Sequence, residues 1–271
     1  MEIIFYILIF IIGSLFGSFY TLAIYRIPKK KDITHTHSYC PNCNHKLGLL
    51  DLIPIFSYIF LLGKCRYCKE KIRPRYLIIE ILSGVLFLLI AYLTNFNLET
   101  LSTSTIIQYS FMVLYITFII LMAGIDKENR KIEKSVTIYG IVISIMYMIY
   151  LCIVEYTNIY RYVIYLLLYI VILIFDTVTL KKYAKSTYVN SILLCIITMI
   201  IFTNEYIVFN SIILTLLSIA IYLIINKVKD RRNRNKKTDR QLARNLSIGF
   251  YLGFTNILIL LLILTYTNFV Q

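Results

Sequence analysis

Polar residues fall in clusters along the chain of 271 residues. Between them lie runs almost free of charge, at about 3–25, 76–94, 106–124, 136–154, 162–180, 189–203, 206–225 and 246–267. A bilayer core of about 30 Å takes roughly 20 apolar residues in helical form. The pattern therefore predicts an all-α polytopic membrane protein with about eight transmembrane helices, of which the sixth is the shortest. Composition agrees, with 59% hydrophobic and only 15% charged residues and no Trp.

Charge adds an orientation. The clusters 26–75, 125–135, 181–188 and 226–245 carry 11, 4, 3 and 9 basic residues, all of the chain's 28 except Arg161. The opposite loops hold Glu2, Glu99, Glu155 and Glu205. The positive-inside rule then puts both termini of this multi-pass chain outside and the basic clusters in the cytosol. The run from Lys227 to Lys237 reads as contact with anionic lipid headgroups and not as a nucleic-acid site, because it sits between two spans. Glu2 and the run Lys29-Lys30-Lys31 mark the first segment as a retained span and not a cleaved signal. The organisation expected is a first span at 1–25, a cytosolic loop at 26–75 and a seven-helix membrane domain at 76–271.

The loop carries the strongest chemical signal. Cys40, Cys43, Cys65 and Cys68 form two Cys-x-x-Cys pairs, and four thiolates close a tetrahedral shell around Zn²⁺. Lys64, Arg66, Lys69 and Lys71 offset the negative charge of such a site. Disulfides are the rival reading, disfavoured in a reducing cytosol. A fully ligated zinc has no open position for catalytic water, so its expected role is structural. His35, His37 and His45 are alternative ligands, and Cys152 and Cys195 read as small hydrophobes.

Ionisable groups inside a span cost about 2.5–3.5 kcal/mol on insertion scales, which makes those present functional candidates. Glu80 and Asp176 lie inside apolar runs and Asp126 at the boundary of a third. Two such carboxylates brought together share a proton, one activating water and the other protonating a peptide carbonyl. The plainer readings are an interfacial acid for Asp126 and intramembrane ion pairs with Arg75 for Glu80 and Lys181 for Asp176.

The strings Gly17-Ser18-Phe19, Tyr25-Arg26-Ile27-Pro28, Cys40-Pro41-x-Cys43, Asp51-x-Ile53-Pro54-x-x-Ser57-Tyr58, Gly63-Lys64-Cys65-Arg66-x-Cys68 and Arg75-Tyr76 leading to Glu80 resemble the bacterial type IV prepilin peptidases. That resemblance implies a membrane aspartic endopeptidase cleaving the leader of a prepilin-like precursor at the cytosolic membrane face. It also implies possible N-methylation of the new terminus from S-adenosylmethionine. The family's first catalytic aspartate matches Asp126, with Ile132 six residues on and Glu133 in place of a proline. Its second motif, Gly-x-Gly-Asp-x-Lys-Leu, falls by position near Tyr188-Val189-Asn190, which puts Asn190 where the aspartate belongs; Asp176 is then the substitute second acid. Ile248-Gly249-Phe250-Tyr251-Leu252-Gly253 is similar to the family's Pro-Phe-Gly-Pro-Phe-Leu stretch without its prolines.

Three functions follow as expectations. The first is a prepilin-processing peptidase using Asp126 and Asp176, with pilin-like precursors and lipid as partners and no nucleic acid. The second is an inactive relative that binds pilin-like helices, favoured by Asn190. The third is a transporter using Glu80 and Asp176, which leaves the cysteine loop unexplained.

Overall fold

The computed structural model describes residues 1–154, 159–180, 186–232 and 246–270. Its helices are α1 (Glu2–Arg26), α2 (Phe56–Phe60), α3 (Arg75–Leu93), α4 (Thr103–Asn129), α5 (Lys134–Val154), α6 (Ile159–Leu180), α7 (Ser186–Phe202), α8 (Glu205–Arg232) and α9 (Ile248–Val270). Seven of them are long and apolar enough to cross a membrane, and α7 is the shorter apolar helix, as the sixth run predicts. Among the described residues no strand forms; two isolated antiparallel bridges, Tyr39 to Lys46 and Lys64 to Lys71, lie in the loop after α1. Glu155, Lys181 and the side chains of the basic run from Lys229 on lie outside the described residues.

The chain divides into two compact units, Met1–Thr117 and Phe118–Val270. In the first, α1 packs along α3 at glycines. A Cβ on Gly13 would lie 2.8 Å from the Ser83 carbonyl, and one on Gly17 would lie 2.7 Å from the Glu80 Cα. Without water to drive helices together, such close backbone approach supplies much of the packing. Buried Tyr20 of α1 shares a 2.6 Å hydrogen bond with Thr117.

The second unit has an apolar core around Met148, Tyr165, Tyr169, Leu194, Ile197 and Ile201. The Tyr169 hydroxyl donates to Ser144 at 3.2 Å and lies 2.9 Å from Thr198, joining α5, α6 and α7. Between α8 and α9, Thr215 and Thr255 pair at 2.8 Å. These hydroxyls satisfy one another where lipid offers nothing. One boundary differs from the hydropathy pattern. Helix α4 continues through Asp126-Lys127-Glu128-Asn129, because Lys and Glu are good helix formers and Asp126 finds partners inside the protein.

Candidate functional site

The first unit holds a thiol centre built from two copies of one backbone turn. In the first knuckle the Cys40 N–H donates to the His45 carbonyl at 3.0 Å, and Asn44 N–H donates to the Cys40 carbonyl at 2.9 Å. In the second, Cys65 N–H donates to Glu70 at 2.8 Å and Lys69 N–H to Cys65 at 3.0 Å. Asn44 and Lys69, one past each second cysteine, both take the left-handed conformation, with φ of 57° and 60°. Each knuckle is closed by one of the two bridges.

The ligand atoms of Cys40, Cys43, Cys65 and Cys68 all lie within 4.8 Å of one another, with Cys40 and Cys65 buried. Cys40 Sγ is 3.9 Å from Cys68 Sγ. A tetrahedral ion with metal–sulfur bonds of about 2.3 Å needs sulfurs about 3.8 Å apart, so the donor set fits such an ion. The thiols resist losing their protons together. For Cys40, burial is outweighed by amide N–H groups of Cys43 and Asn42, and the thiol falls to about 7. For Cys68, the Glu70 amide favours the thiolate, but crowding against the other three sulfurs raises the thiol to about 11. A divalent cation removes that conflict. The three histidines predicted as alternative ligands are not in the cluster; His45 packs against Tyr67 with the rings tilted and their centroids 3.6 Å apart.

Two side chains anchor the loop. Arg26, 3% exposed at the end of α1, donates to the carbonyls of Asp32 at 2.9 Å, Thr36 at 3.0 Å and His37 at 3.0 Å, fixing the approach to the first knuckle. Asp51 accepts from Arg66 at 2.7 Å and Tyr67 at 3.1 Å, tying the segment between the knuckles to the second. Beneath them a cavity of about 240 Å³ is lined by residues that include Ser18, Tyr25, Ser57, Tyr58 and Glu80. Glu80 belongs to this region: its Oε2 accepts the Ile55 N–H at 2.8 Å, a partner that hydropathy and spacing did not reveal.

The second unit holds Asp126, with no exposed surface, in the last turn of α4. Tyr188 of α7 donates its hydroxyl to Asp126 Oδ1 at 2.9 Å, and the Phe250 N–H donates to Oδ2 at 3.1 Å. The Gly249 N–H also points at the carboxylate. In turn the Ile248 N–H donates to the Tyr188 oxygen at 3.1 Å. Asp126 and Tyr188 thus take up the free amides at the N-terminus of α9, where the helix dipole favours an anion. A carboxylate accepts roughly four hydrogen bonds, which leaves room for about one more donor. Gly249 permits the approach, since a Cβ there would stand 3.1 Å from Oδ2.

Asp176, half-buried on α6, accepts from the Asn190 side-chain amide at 3.0 Å. Asp176 and Asn190, both singled out from the sequence, are therefore direct neighbours, while Asp126 is held by α7 and α9. Tyr188 and Gly249 are site residues to which sequence reasoning assigned no role. Their only signal was position, one beside the expected second motif and the other inside the C-terminal glycine string.

Residues 11–94, which contain all four cysteines, match the bacterial peptidase A24 N-terminal domain. Over this region the chain resembles the type IV prepilin peptidases. It is 37% identical over 123 residues to a prepilin leader peptidase/N-methyltransferase of Vibrio cholerae, covering 42% of this chain and 46% of that one. Proteins of the same name from Klebsiella pneumoniae and Myxococcus xanthus are 27% and 30% identical, over 48% and 52% of this chain and 56% and 39% of theirs. The chain thus spans about half the length of the curated relatives it matches. No solved structure matches. The domain match covers the cysteine loop and ends before Asp126.

Proposed function

We propose that this protein is a prepilin-processing membrane peptidase, cutting a membrane-inserted pilin-like precursor between its basic leader and its apolar stalk. The observation that carries the reading is Asp126: a wholly buried carboxylate at the end of a membrane-length helix, oriented by Tyr188 and the start of α9, with room for one more donor. A water in that position is the nucleophile. The second acid is Asp176, held by Asn190. In such a dyad one carboxylate must be ionised to take a proton from water while the other gives one to the scissile carbonyl. Cleavage takes place at the cytosolic face, where the basic clusters lie, and both termini lie outside. Zn²⁺ held by Cys40, Cys43, Cys65 and Cys68 is structural in this reading and takes no part in hydrolysis.

The test is cleavage of a co-expressed pilin-like precursor in membranes by wild type, Asp126→Ala, Asp176→Ala and Asn190→Asp. Loss in both alanine variants supports the dyad. Retention of full cleavage by Asp126→Ala rejects it. Mass spectrometry of the cut product, with S-adenosylmethionine supplied, reads whether the new N-terminus is methylated, the second activity in the relatives' name.

One observation favours a second reading, an inactive relative that binds pilin-like helices without cutting them. An amide does not titrate, and Asn190 stands at the family's second aspartate position. A wild type unable to cleave, with cleavage gained in Asn190→Asp, supports that reading.

A further inference from the structure

Between the two knuckles, the loop turns its apolar side chains outward. Leu49, Leu50, Phe56, Ile59, Phe60 and Leu62 are each more than half exposed, up to 87% for Leu49. The polar residues of the same stretch, Asp51, Ser57 and Tyr58, line the cavity instead. This is the reverse of a loop folded against water. We propose that Leu49–Leu62 is a re-entrant segment whose outer face is seated in the acyl chains of the adjoining lipid leaflet.

Depth is set by Glu80. Helix α3 has 19 residues, about 28 Å at 1.5 Å per residue, which matches a hydrocarbon layer of about 30 Å and puts Arg75 at its edge. Glu80 lies five residues further in, about 7 Å along the helix axis. The Ile55 N–H bonded to Glu80 is therefore below the lipid surface. On α3, near Glu80, the apolar side chains of Ile78, Ile81 and Leu82 are exposed as well. Lys46, Lys71 and Arg73 lie on either side of the segment in sequence, a charge that suits anionic headgroups beside it.

Lipid imposes a second requirement, that buried backbone donors find partners within the protein. Several donors of the segment do so. Pro54 has no N–H; Ile55 donates to Glu80; Phe56 donates to the Pro54 carbonyl at 2.6 Å; Ser57 donates to Ile53 at 3.1 Å and Gly63 to Tyr58 at 2.9 Å. The bond from Phe56 to Pro54 closes a γ-turn centred on Ile55, whose φ is 65°. That conformation is strained for a β-branched residue. A buried carboxylate on its N–H holds it in place.

The chain has no Trp, so one introduced Trp reports alone. Phe56→Trp, Phe60→Trp and, as a water-facing reference, His35→Trp are placed in vesicles of phosphatidylglycerol and phosphatidylethanolamine with or without brominated acyl chains. Metal content shows that each variant keeps its loop. The expected result is loss of emission to brominated lipid and resistance to aqueous iodide for both Phe variants, with the opposite pattern for His35→Trp. Iodide quenching of all three, with no response to bromine, overturns the proposal. Protection of the Phe variants that appears only when a pilin-like precursor is added also overturns it and makes the face a protein groove.

Discussion

The thiol centre and the carboxylate cluster are built in opposite ways. The thiol centre closes within loop 26–75, from two identical turns whose hydrogen bonds span four or five residues. The carboxylate cluster gathers Asp126, Tyr188 and Phe250 from helices 62 and 124 residues apart. A locally closed site carries its geometry in its spacing. A site assembled across helices depends on packing, which spacing does not show.

That contrast is testable, first and most strongly at the metal. Structural zinc binds with about 10 kcal/mol or more. Chelation, or Cys65→Ser, should release one bound ion per chain by elemental analysis and open loop 26–75 to protease while α5–α9 stay protected; equal exposure of both units would break the distinction. Next, Arg26→Ala leaves three loop carbonyls without their donor and should cost about 3 kcal/mol, read as faster proteolysis of the same loop. In the second unit, Gly249→Ala pushes a methyl against Asp126 and should cost about 1–3 kcal/mol, lowering thermal stability without changing metal content.

The smallest effect is one of pH. Burial opposes the ionisation of Asp51, but Arg66, the Gly48 amide and Tyr67 outweigh it and hold the carboxyl below its ordinary range. Its folded pKa is depressed, so its contribution is full above the unfolded value of about 4 and is lost as pH falls through the folded one. Because Arg66 is partly exposed, that contribution is about 1 kcal/mol or less. Asp51→Asn should flatten the acid limb of loop stability in a protease assay and leave the rest of the profile unchanged.

Apolar runs and cysteine spacing made the helices and thiol centre legible, since membrane length and ligand number are properties of contiguous sequence. The acidic end of α4 was hidden because Asp126-Lys127-Glu128-Asn129 has the hydropathy of a loop while forming a helical turn. Glu80 reads from spacing as a partner for Arg75. Its bond to a backbone N–H 25 residues earlier depends on a γ-turn that no residue type announces. Tyr188 is one of 24 tyrosines, and nothing local separates it from the others.

The repeated knuckle also bears on how the centre assembles. Each turn orders its own pair of sulfurs through its own backbone bonds, so either half presents a ready-made two-toothed claw before the other arrives. Capture of an ion would then take two strokes, a loose grip by one claw followed by closure of the second. That second stroke would join the segment leaving α1 to the segment entering α3, making the ion a clasp between the chain's first two spans.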